Sequence, residues 1–235
     1  MFRWSDHLTV TKSINQSAQV KLLNKMEILE LEKITAIHGD CMDYMKDIPD
    51  NFFDLAIVDP PYGIKVTSMN MGGRKTVKPD KNKNWDNDIP DKRYFDELFR
   101  VSKNQIIWGG NYFNLPTSQY FAIWDKGETM YGRDFAECEF AWVGSGGTRI
   151  CKKNPNQKDR IHTTQKPVDL YKWILCNYAK YGYKILDTHG GSFSHAIACH
   201  DLGFELTIIE KDEDYFNKAV KRLKWHQRQR VIQFT

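Results

Sequence analysis

Residues 55–62 read Leu-Ala-Ile-Val-Asp-Pro-Pro-Tyr, and this stretch decides the fold class of the chain. Four apolar residues in a row, followed at once by a proline-containing turn, predict a short β-strand that ends at Asp59. Side chains that follow such a strand emerge at the carboxyl edge of the sheet, where open α/β folds bind their ligands. We therefore expect residues 59–62 to lie in a functional site.

Strands and helices alternate on both sides of this stretch. Such alternation is typical of an α/β fold with a mostly parallel, twisted sheet and helices on both faces. We expect a single domain over residues 33–235 and an N-terminal extension, an arm or disordered segment, over residues 1–32, because polar residues dominate the start of the chain. Further strands are predicted at 35–38, 105–108, 120–124, 135–143, 184–186 and 206–209, and helices at about 42–46, 91–101, 192–202, 212–230 and from residue 168 onward.

The composition excludes several classes of protein. The chain has 235 residues and a net charge of +4, and its apolar runs are too short to span a bilayer. Residues 1–11 lack the pattern of an export signal, so we expect a cytoplasmic protein with no membrane partner and allow for a homodimer. We expect free thiols and no metal site, because no cysteine pair has CxxC spacing and we interpret His195 and His200 as packing or surface residues. The cysteines are Cys41, Cys138, Cys151, Cys176 and Cys199.

The tetrapeptide Asp59-Pro60-Pro61-Tyr62 has the groups needed to activate an exocyclic base amine. The lone pair of such an amine is delocalised into the ring, so the amine needs acceptors for its hydrogens. Asp59 offers a carboxylate oxygen and Pro60 a backbone carbonyl. Pro60 and Pro61 stiffen the turn, and the Tyr62 ring offers a surface on which a base can stack. The alternative is a strand-ending turn without chemistry, because Pro and Asp are common turn residues.

A second strand end carries a glycine-rich turn. The predicted strand at 184–186 continues through Asp187 into Thr188-His189-Gly190-Gly191-Ser192, after which a helix begins. Such a turn lets a ligand approach the backbone closely. About 20 residues later the strand at 206–209 ends at Glu210, the position of a carboxylate that binds ribose hydroxyls. Together these features predict a nucleoside pocket.

Four segments, in their order along the chain, resemble the β class of amino-methylating DNA methyltransferases. Residues 59–62 resemble the catalytic motif, residues 162–167 the His-Pro-Thr-Gln-Lys-Pro segment, residues 187–192 the cofactor-binding turn, and residues 209–216 the strand, acid and helix that follow it. The similarity covers about residues 33–225. It implies a Rossmann-like methyltransferase fold and the cofactor S-adenosylmethionine, with Lys166 near the methionine carboxylate. The candidate cofactor contacts are Asp40, Cys41, Asp59, Thr164, Lys166, Asp187, His189, Gly191, Ser192 and Glu210.

The glycine-rich turn departs from the family pattern at two positions. His189 stands where the family has another aromatic residue, and Phe193 stands where it has a glycine. For His189 we favour a backbone hydrogen bond over a direct catalytic role. The two departures keep open the alternative of a non-catalytic, cofactor-binding protein that binds DNA.

Two basic loops, at about 63–90 and 144–161, are predicted to contact DNA phosphates while a base is flipped into the site. The second loop lies where the family has its target-recognition region, and its shortness predicts a short or relaxed recognition sequence. The alternative is a pair of solvated loops. The candidate DNA contacts are Lys65, Arg74 and Lys75, with Lys78, Lys81 and Lys83, in the first loop, and Arg149, Lys152 and Lys153, with Lys158 and Arg160, in the second.

The resemblance implies a DNA methyltransferase that modifies adenine N6. Asp59 in the first position of the tetrapeptide resembles the adenine enzymes more than the Ser-Pro-Pro-Tyr of many cytosine-N4 enzymes. The nearest alternative is therefore a cytosine-N4 DNA methyltransferase. A methyltransferase of RNA or of a protein amide is a more distant one, because the motif begins with Asp rather than Asn.

Overall fold

Nine strands form one sheet in the computed structural model, which describes residues 26–66, 85–133, 136–157 and 160–229. The strands lie in the order β1-β2-β9-β8-β3-β4-β6-β5-β7. Their bounds are β1 Glu27–Leu31, β2 Ile34–His38, β3 Leu55–Val58, β4 Gln105–Trp108, β5 Tyr120–Asp125, β6 Cys138–Val143, β7 Arg149–Lys152, β8 Lys184–Asp187 and β9 Glu205–Glu210. The helices are α1 Cys41–Met45, α2 Lys92–Val101, α3 Val168–Tyr178, α4 Ser194–Leu202 and α5 Glu213–Gln227, and a 3₁₀ turn covers Gly110–Tyr112.

The centre of the sheet is parallel, as predicted. Strands β2, β9, β8, β3 and β4 all run in the same direction. Alternate residues of β3 face opposite ways: Leu55 and Ile57 pack with α3, α4 and α5, whereas Ala56 and Val58 pack with α1 and α2. Both faces are thus covered by helices, which explains why every residue of β3 is buried and apolar. The expected α/β, Rossmann-like architecture is confirmed.

Strand β6 runs against its neighbours β4 and β5. Two reversals restore the direction, so β5 and β7 run parallel to the central strands. The last residues of β5 and β7 and the first residues of β6 consequently lie at the same edge of the sheet as Asp59. This geometry brings the far end of the sheet into reach of the proposed site.

Two strands lie within segments that were predicted to be an N-terminal extension and a loop. Strand β1, within the predicted N-terminal extension, pairs antiparallel with β2 in a hairpin, in which Leu29 and Leu31 are partly buried and the alternate residues Ile28 and Glu30 are exposed. Strand β7, within the predicted loop at 144–161, pairs with β5 through residues 149–152. The described residues do not include residues 1–25, residues 67–84 of the first loop or residues 158–159 of the second. The candidate DNA contacts that fall outside them are Arg74, Lys75, Lys78, Lys81, Lys83 and Lys158.

The other predicted elements agree with the structure to within a few residues. Asp91 and Asp212 cap α2 and α5 by accepting hydrogen bonds from the backbone of Tyr94 and Tyr215. Helix α3 begins directly after Pro167, as predicted. Among the helices in the described part of the chain, none combines the length and apolar character that a bilayer crossing requires.

Candidate active site

The two motif-bearing strands are neighbours in the sheet. Leu55 of β3 pairs with Ile185 of β8, so the turns that follow the two strands meet at the carboxyl edge. A cavity of about 630 Å³ opens there, within the size range of small-molecule sites. Most of the predicted cofactor contacts line it: Asp40, Cys41, Asp59, Thr164, Lys166, His189, Gly191, Ser192 and Glu210. Of the other predicted residues, Pro61 lines the cavity, whereas Pro60, Tyr62 and Asp187 lie outside its wall.

Asp59 lies in a network of charged and hydroxyl groups. Its Oδ1 atom accepts hydrogen bonds from Lys166 Nζ at 2.6 Å and from the Tyr62 hydroxyl at 2.7 Å. Burial raises the pKa of Asp59 above its usual range, although Lys166 opposes this shift. For Lys166, burial alone would lower the pKa, but the carboxylates of Asp59 and Glu139 outweigh it and raise the pKa above its usual value. Lys166 is therefore an ammonium group that donates a hydrogen bond directly to Asp59.

Glu139 on β6 is a member of this network that the sequence did not suggest. One of its carboxylate oxygens lies 3.2 Å from Lys166 Nζ, and the other lies 2.8 Å from Lys126 Nζ. Burial would raise the pKa of Glu139, but the two lysines overcome it and hold the pKa at about 2. Glu139 is therefore a carboxylate at any physiological pH.

The Tyr62 ring is fixed on several sides. It stacks on Tyr112 with 4.9 Å between ring centroids, and Phe113 meets it edge-on. A side chain at Gly109 would come within 2.3 Å of the ring, so this position accommodates only glycine. Burial raises the pKa of Tyr62 well above its usual value, which keeps its hydroxyl a donor to Asp59. One face of the ring predicted to stack on a base is thus covered by Tyr112.

Asp86 holds the catalytic turn from the far end of the first loop. Its Oδ1 accepts hydrogen bonds from the backbone N–H of Tyr62 at 2.8 Å and of Gly63 at 3.1 Å, and its Oδ2 accepts one from Val66 at 2.9 Å. The carboxylate is buried, so these charge-assisted bonds replace its hydration. Asp86 was not predicted, because it lies in a polar loop without a recognisable pattern.

The glycine-rich turn is held by two carboxylates. Asp187 accepts a hydrogen bond from the His189 backbone at 3.0 Å through Oδ1, and its Oδ2 lies 2.9 Å from His195 Nδ1. Glu210 accepts bonds from the backbone of Gly191 at 2.7 Å and of Asp212 at 2.8 Å. Asp187 thus shapes the turn from behind, whereas Glu210 shapes it and also faces the cavity.

Phe193 occupies its unusual place in the turn without blocking the cavity. Its backbone adopts a left-handed conformation, with φ of 57°, which a glycine would adopt without strain. Its ring is fully buried and packs edge-on against Phe216 in the core beneath the turn. The departure from the family pattern therefore leaves the ligand side of the turn open.

His189 and its neighbours form the part of the cavity nearest Asp40. Burial lowers the pKa of His189 to about 4, so the imidazole is neutral at physiological pH. Its Nδ1 lies 2.9 Å from the Thr188 hydroxyl, and Thr188 in turn contacts the hydroxyl of Tyr94 at 2.7 Å. Asp40 pairs with Lys211 at 2.8 Å. Burial raises the pKa of Cys41 to about 12, so it is present as a thiol.

The two histidines of α4 have separate roles. His195, predicted to be a packing or surface residue, is buried, stacks on Tyr171 at 4.8 Å and orients Asp187. His200 is half-buried and contacts Glu32 at 3.2 Å. Within the described residues, no group of three or more His, Cys, Asp or Glu side chains has the geometry of a metal site.

Two of the described basic residues, Lys152 and Lys153, lie at the carboxyl edge of the sheet. Lys152 ends β7, next to the end of β5, and Lys153 follows it. Lys152 pairs with Glu128 and lies over the Tyr131 ring, so its charge is partly compensated. Arg149, at the start of β7, and Lys65, after the catalytic turn, are exposed. A DNA-binding role for these residues stays a prediction.

Comparisons with known proteins agree with this geometry. A family model for N6 and N4 methyltransferases, described as DNA methylase, matches residues 119–221. The type II methyltransferase M.HinfI of Haemophilus influenzae is 24% identical over 249 residues, which cover 81% of this chain and 68% of the relative.

Two solved structures share the fold. The M1.HpyAVI–SAM complex superposes with a TM-score of 0.54 at 20% identity, over 80% of this chain and 99% of that chain. The cytosine-N4-specific PvuII DNA methyltransferase superposes with a TM-score of 0.52 at 8% identity, over 82% of this chain and 90% of the other. The family model and the relative thus show that the chain is similar to amino-methylating N6/N4 DNA methyltransferases, and the two structures show that it shares their fold.

Proposed function

We propose that this protein methylates the N6 amine of adenine in DNA, with S-adenosylmethionine as the methyl donor. The observation that carries the proposal is the position of Asp59 on the wall of the same cavity as the glycine-rich turn and Glu210. A carboxylate suited to bind an amine and a turn suited to bind a nucleoside thus share one site.

The cavity fits the proposed cofactor at both of its ends. Glu210 and Asp40 supply carboxylates for the ribose and adenine end, and the backbone at Gly191 is open on the ligand side. Thr164 and Lys166 supply a hydroxyl and an ammonium for the methionine end. When bound, S-adenosylmethionine supplies an electrophilic methyl group on a sulfonium.

The residues of the catalytic turn act by positioning the amine. Asp59 accepts one amine hydrogen and the Pro60 carbonyl the other, which directs the nitrogen lone pair out of the ring plane. Lys166 and Tyr62 both bind Oδ1 of Asp59, so we assign Oδ2 to the amine. Asp59 and Pro60 would hold the amine nitrogen in line with the sulfonium methyl group, and this alignment would supply most of the rate. Transfer would form the nitrogen–carbon bond as the sulfur–carbon bond breaks, with S-adenosylhomocysteine as the leaving group and the amine proton lost to solvent.

The proposed substrate is a base outside the duplex stack, because the cavity cannot reach an atom inside a double helix. Lys65, Arg149, Lys152 and Lys153 are candidates to hold the phosphates on either side of that base. Lys152 and Lys153 lie at the edge of the sheet that carries the cavity. Because these residues would neutralise phosphates, the affinity for DNA should fall steeply as the salt concentration rises.

Cytosine N4 is the second candidate target. The fold supports it equally, because the cytosine-N4-specific PvuII enzyme superposes over 82% of this chain. Asp59 at the first position of the tetrapeptide favours adenine.

A nucleoside digest tests the proposal. Purified protein is incubated with methyl-labelled S-adenosylmethionine and with RNA or several duplex and single-stranded DNAs, and the nucleic acid is digested to nucleosides, which are identified by mass. We expect labelled N6-methyladenine. Labelled N4-methylcytosine alone would show that the target base is cytosine and not adenine. Label on RNA but on none of the DNAs would overturn the assignment of DNA as the substrate.

A further inference from the structure

We propose that Glu139 is a positioning residue for methyl transfer, which holds the ammonium of Lys166 beside Asp59 and is itself held by Lys126. The inference rests on the proposed function of the same site. Glu139 does not line the cavity, so it acts through Lys166 rather than on the substrate.

Four alternating charges connect Asp59 to the far end of the sheet. Asp59 contacts Lys166 at 2.6 Å, Lys166 contacts Glu139 at 3.2 Å, and Glu139 contacts Lys126 at 2.8 Å. Two carboxylates and two ammonium groups give no net charge. The side chain of Lys166 is only 3% exposed and that of Lys126 only 12%, so each buried charge depends on its neighbours in the chain.

The reversed direction of β6 explains how Glu139 reaches the site. Glu139 is the second residue of β6 and lies opposite Trp124 near the end of β5, and Lys126 follows that strand. An acid at this position therefore lies close to the residues that follow the carboxyl ends of the parallel strands. A salt bridge on the surface would not require Glu139 to lie at this position. The burial of Lys166 distinguishes the observed network from such a surface salt bridge.

Sharing Lys166 between two carboxylates keeps Asp59 available to the amine. The remaining surroundings of the ammonium include the rings of Trp108 at 5.1 Å and Tyr62 at 5.5 Å, which attract a cation more weakly than a carboxylate does. Without the charge of Glu139, Lys166 would pair with Asp59 alone and compete with the amine for its second oxygen, Oδ2. Loss of Glu139 should consequently slow the transfer step more than it weakens the binding of either substrate.

The first test is kinetic. We expect Glu139→Gln to lower kcat by about 10- to 100-fold, the size of effect that follows from a misplaced reacting group, while KM for DNA and for the cofactor changes less than about threefold. Glu137→Gln is the matched control, because Glu137 is an exposed acid two residues away. A Glu139→Gln enzyme with wild-type kcat would overturn the proposal.

A double variant separates positioning from stability. Glu139→Gln leaves Lys126 as a buried charge without its carboxylate, which destabilises the fold. In Glu139→Gln/Lys126→Met that charge is also removed, so the midpoint of urea unfolding should return toward the wild-type value while kcat stays low. Recovery of kcat together with stability would show that Glu139 has a structural role only.

An NMR readout of the lysine ammonium groups does not depend on activity. Buried ammonium groups in ion pairs exchange slowly enough to be observed after ¹⁵N-lysine labelling, and Lys166→Met identifies the signal of Lys166. Glu139→Gln should shift that signal or broaden it beyond detection, whereas Glu137→Gln should leave it in place. An unchanged Lys166 signal in Glu139→Gln overturns the inference, whether or not the wild-type protein methylates DNA. Absence of DNA methylation by the wild-type protein would by itself contradict only the proposed function.

Discussion

The catalytic turn and the glycine-rich turn follow adjacent parallel strands, yet they are built in opposite ways. The catalytic turn, residues 59–62, contains two prolines and directs charged and hydroxyl groups at one another. The glycine-rich turn, residues 187–192, has its backbone N–H groups held by Asp187 and Glu210. One turn thus presents side chains and the other presents backbone. The same position in a fold can therefore supply reactive side chains or close approach to a ligand, depending on the local sequence.

Removing the acid of the catalytic turn should have the largest effect. We expect Asp59→Ala to lower kcat by about 10³-fold, because the amine loses its charged acceptor, while the affinity for S-adenosylmethionine changes less than about threefold. Single-turnover transfer and calorimetric titration of the cofactor measure the two quantities. Asp47→Ala, which removes an exposed acid just after α1, is the control. If kcat and the affinity for S-adenosylmethionine both fell, Asp59 would also be needed to bind the cofactor, contrary to the proposal.

The parallel centre of the sheet could be predicted because β3 and β8 carry short apolar runs that are followed directly by a functional residue. Strand β7 could not, because Arg-Ile-Cys-Lys buries only Cys151 and its pairing depends on β5, about 27 residues away in the chain. Asp59, Lys166 and Glu210 belong to local motifs and were predicted. Glu139 and Asp86 were missed, since their roles come from tertiary contacts over 27 and 24 residues that leave no local pattern.

The second largest effect concerns the stability of the glycine-rich turn. We expect Phe193→Ala to lower the free energy of unfolding by about 3 kcal/mol, because a fully buried ring is lost. Phe193→Gly should be about 1 kcal/mol less destabilising than Phe193→Ala, since glycine adopts a positive φ without strain. Urea unfolding measures both values. Equal values for the two variants would contradict a left-handed backbone at residue 193.

A smaller loss of stability is expected in the catalytic turn. Asp86→Ala leaves the N–H groups of Tyr62, Gly63 and Val66 without their buried acceptor, which should cost about 2 kcal/mol. Unlike Phe193→Ala, it should also lower kcat, because the turn that carries Asp59 is no longer held. Asp86→Asn keeps the size of the side chain and should lie between Ala and wild type. A variant that unfolds more readily but keeps full kcat would make Asp86 structural only.

A further effect in the glycine-rich turn is a dependence of stability on pH. The pKa of His189 is about 4 in the folded protein, below the ordinary 6.5, so the unfolded chain binds a proton more readily. Its contribution to stability is therefore fully present above pH 6.5 and is lost as the pH falls toward 4. Nearby Asp187, Asp40 and Lys211 influence the same group.

Urea unfolding of His189→Asn and wild type between pH 7.5 and pH 4.5 measures this contribution as a difference in slope. We expect the variant to lose less stability on acidification. His200→Asn, at the other end of α4, controls for the removal of one histidine. Parallel curves for His189→Asn and wild type would show that His189 is already protonated, or equally exposed, in the folded protein.

The outer position of β7 has a consequence for solubility. An edge strand offers unpaired backbone groups to other chains, and an exposed Ile150 makes this edge more prone to pairing. Arg149 and Lys152 flank that isoleucine with positive charge, which repels the same edge of a second molecule. Neutral replacements chosen to weaken DNA binding would therefore also promote aggregation. Light scattering at the working concentration then distinguishes a variant that has lost its affinity for DNA from one that has aggregated.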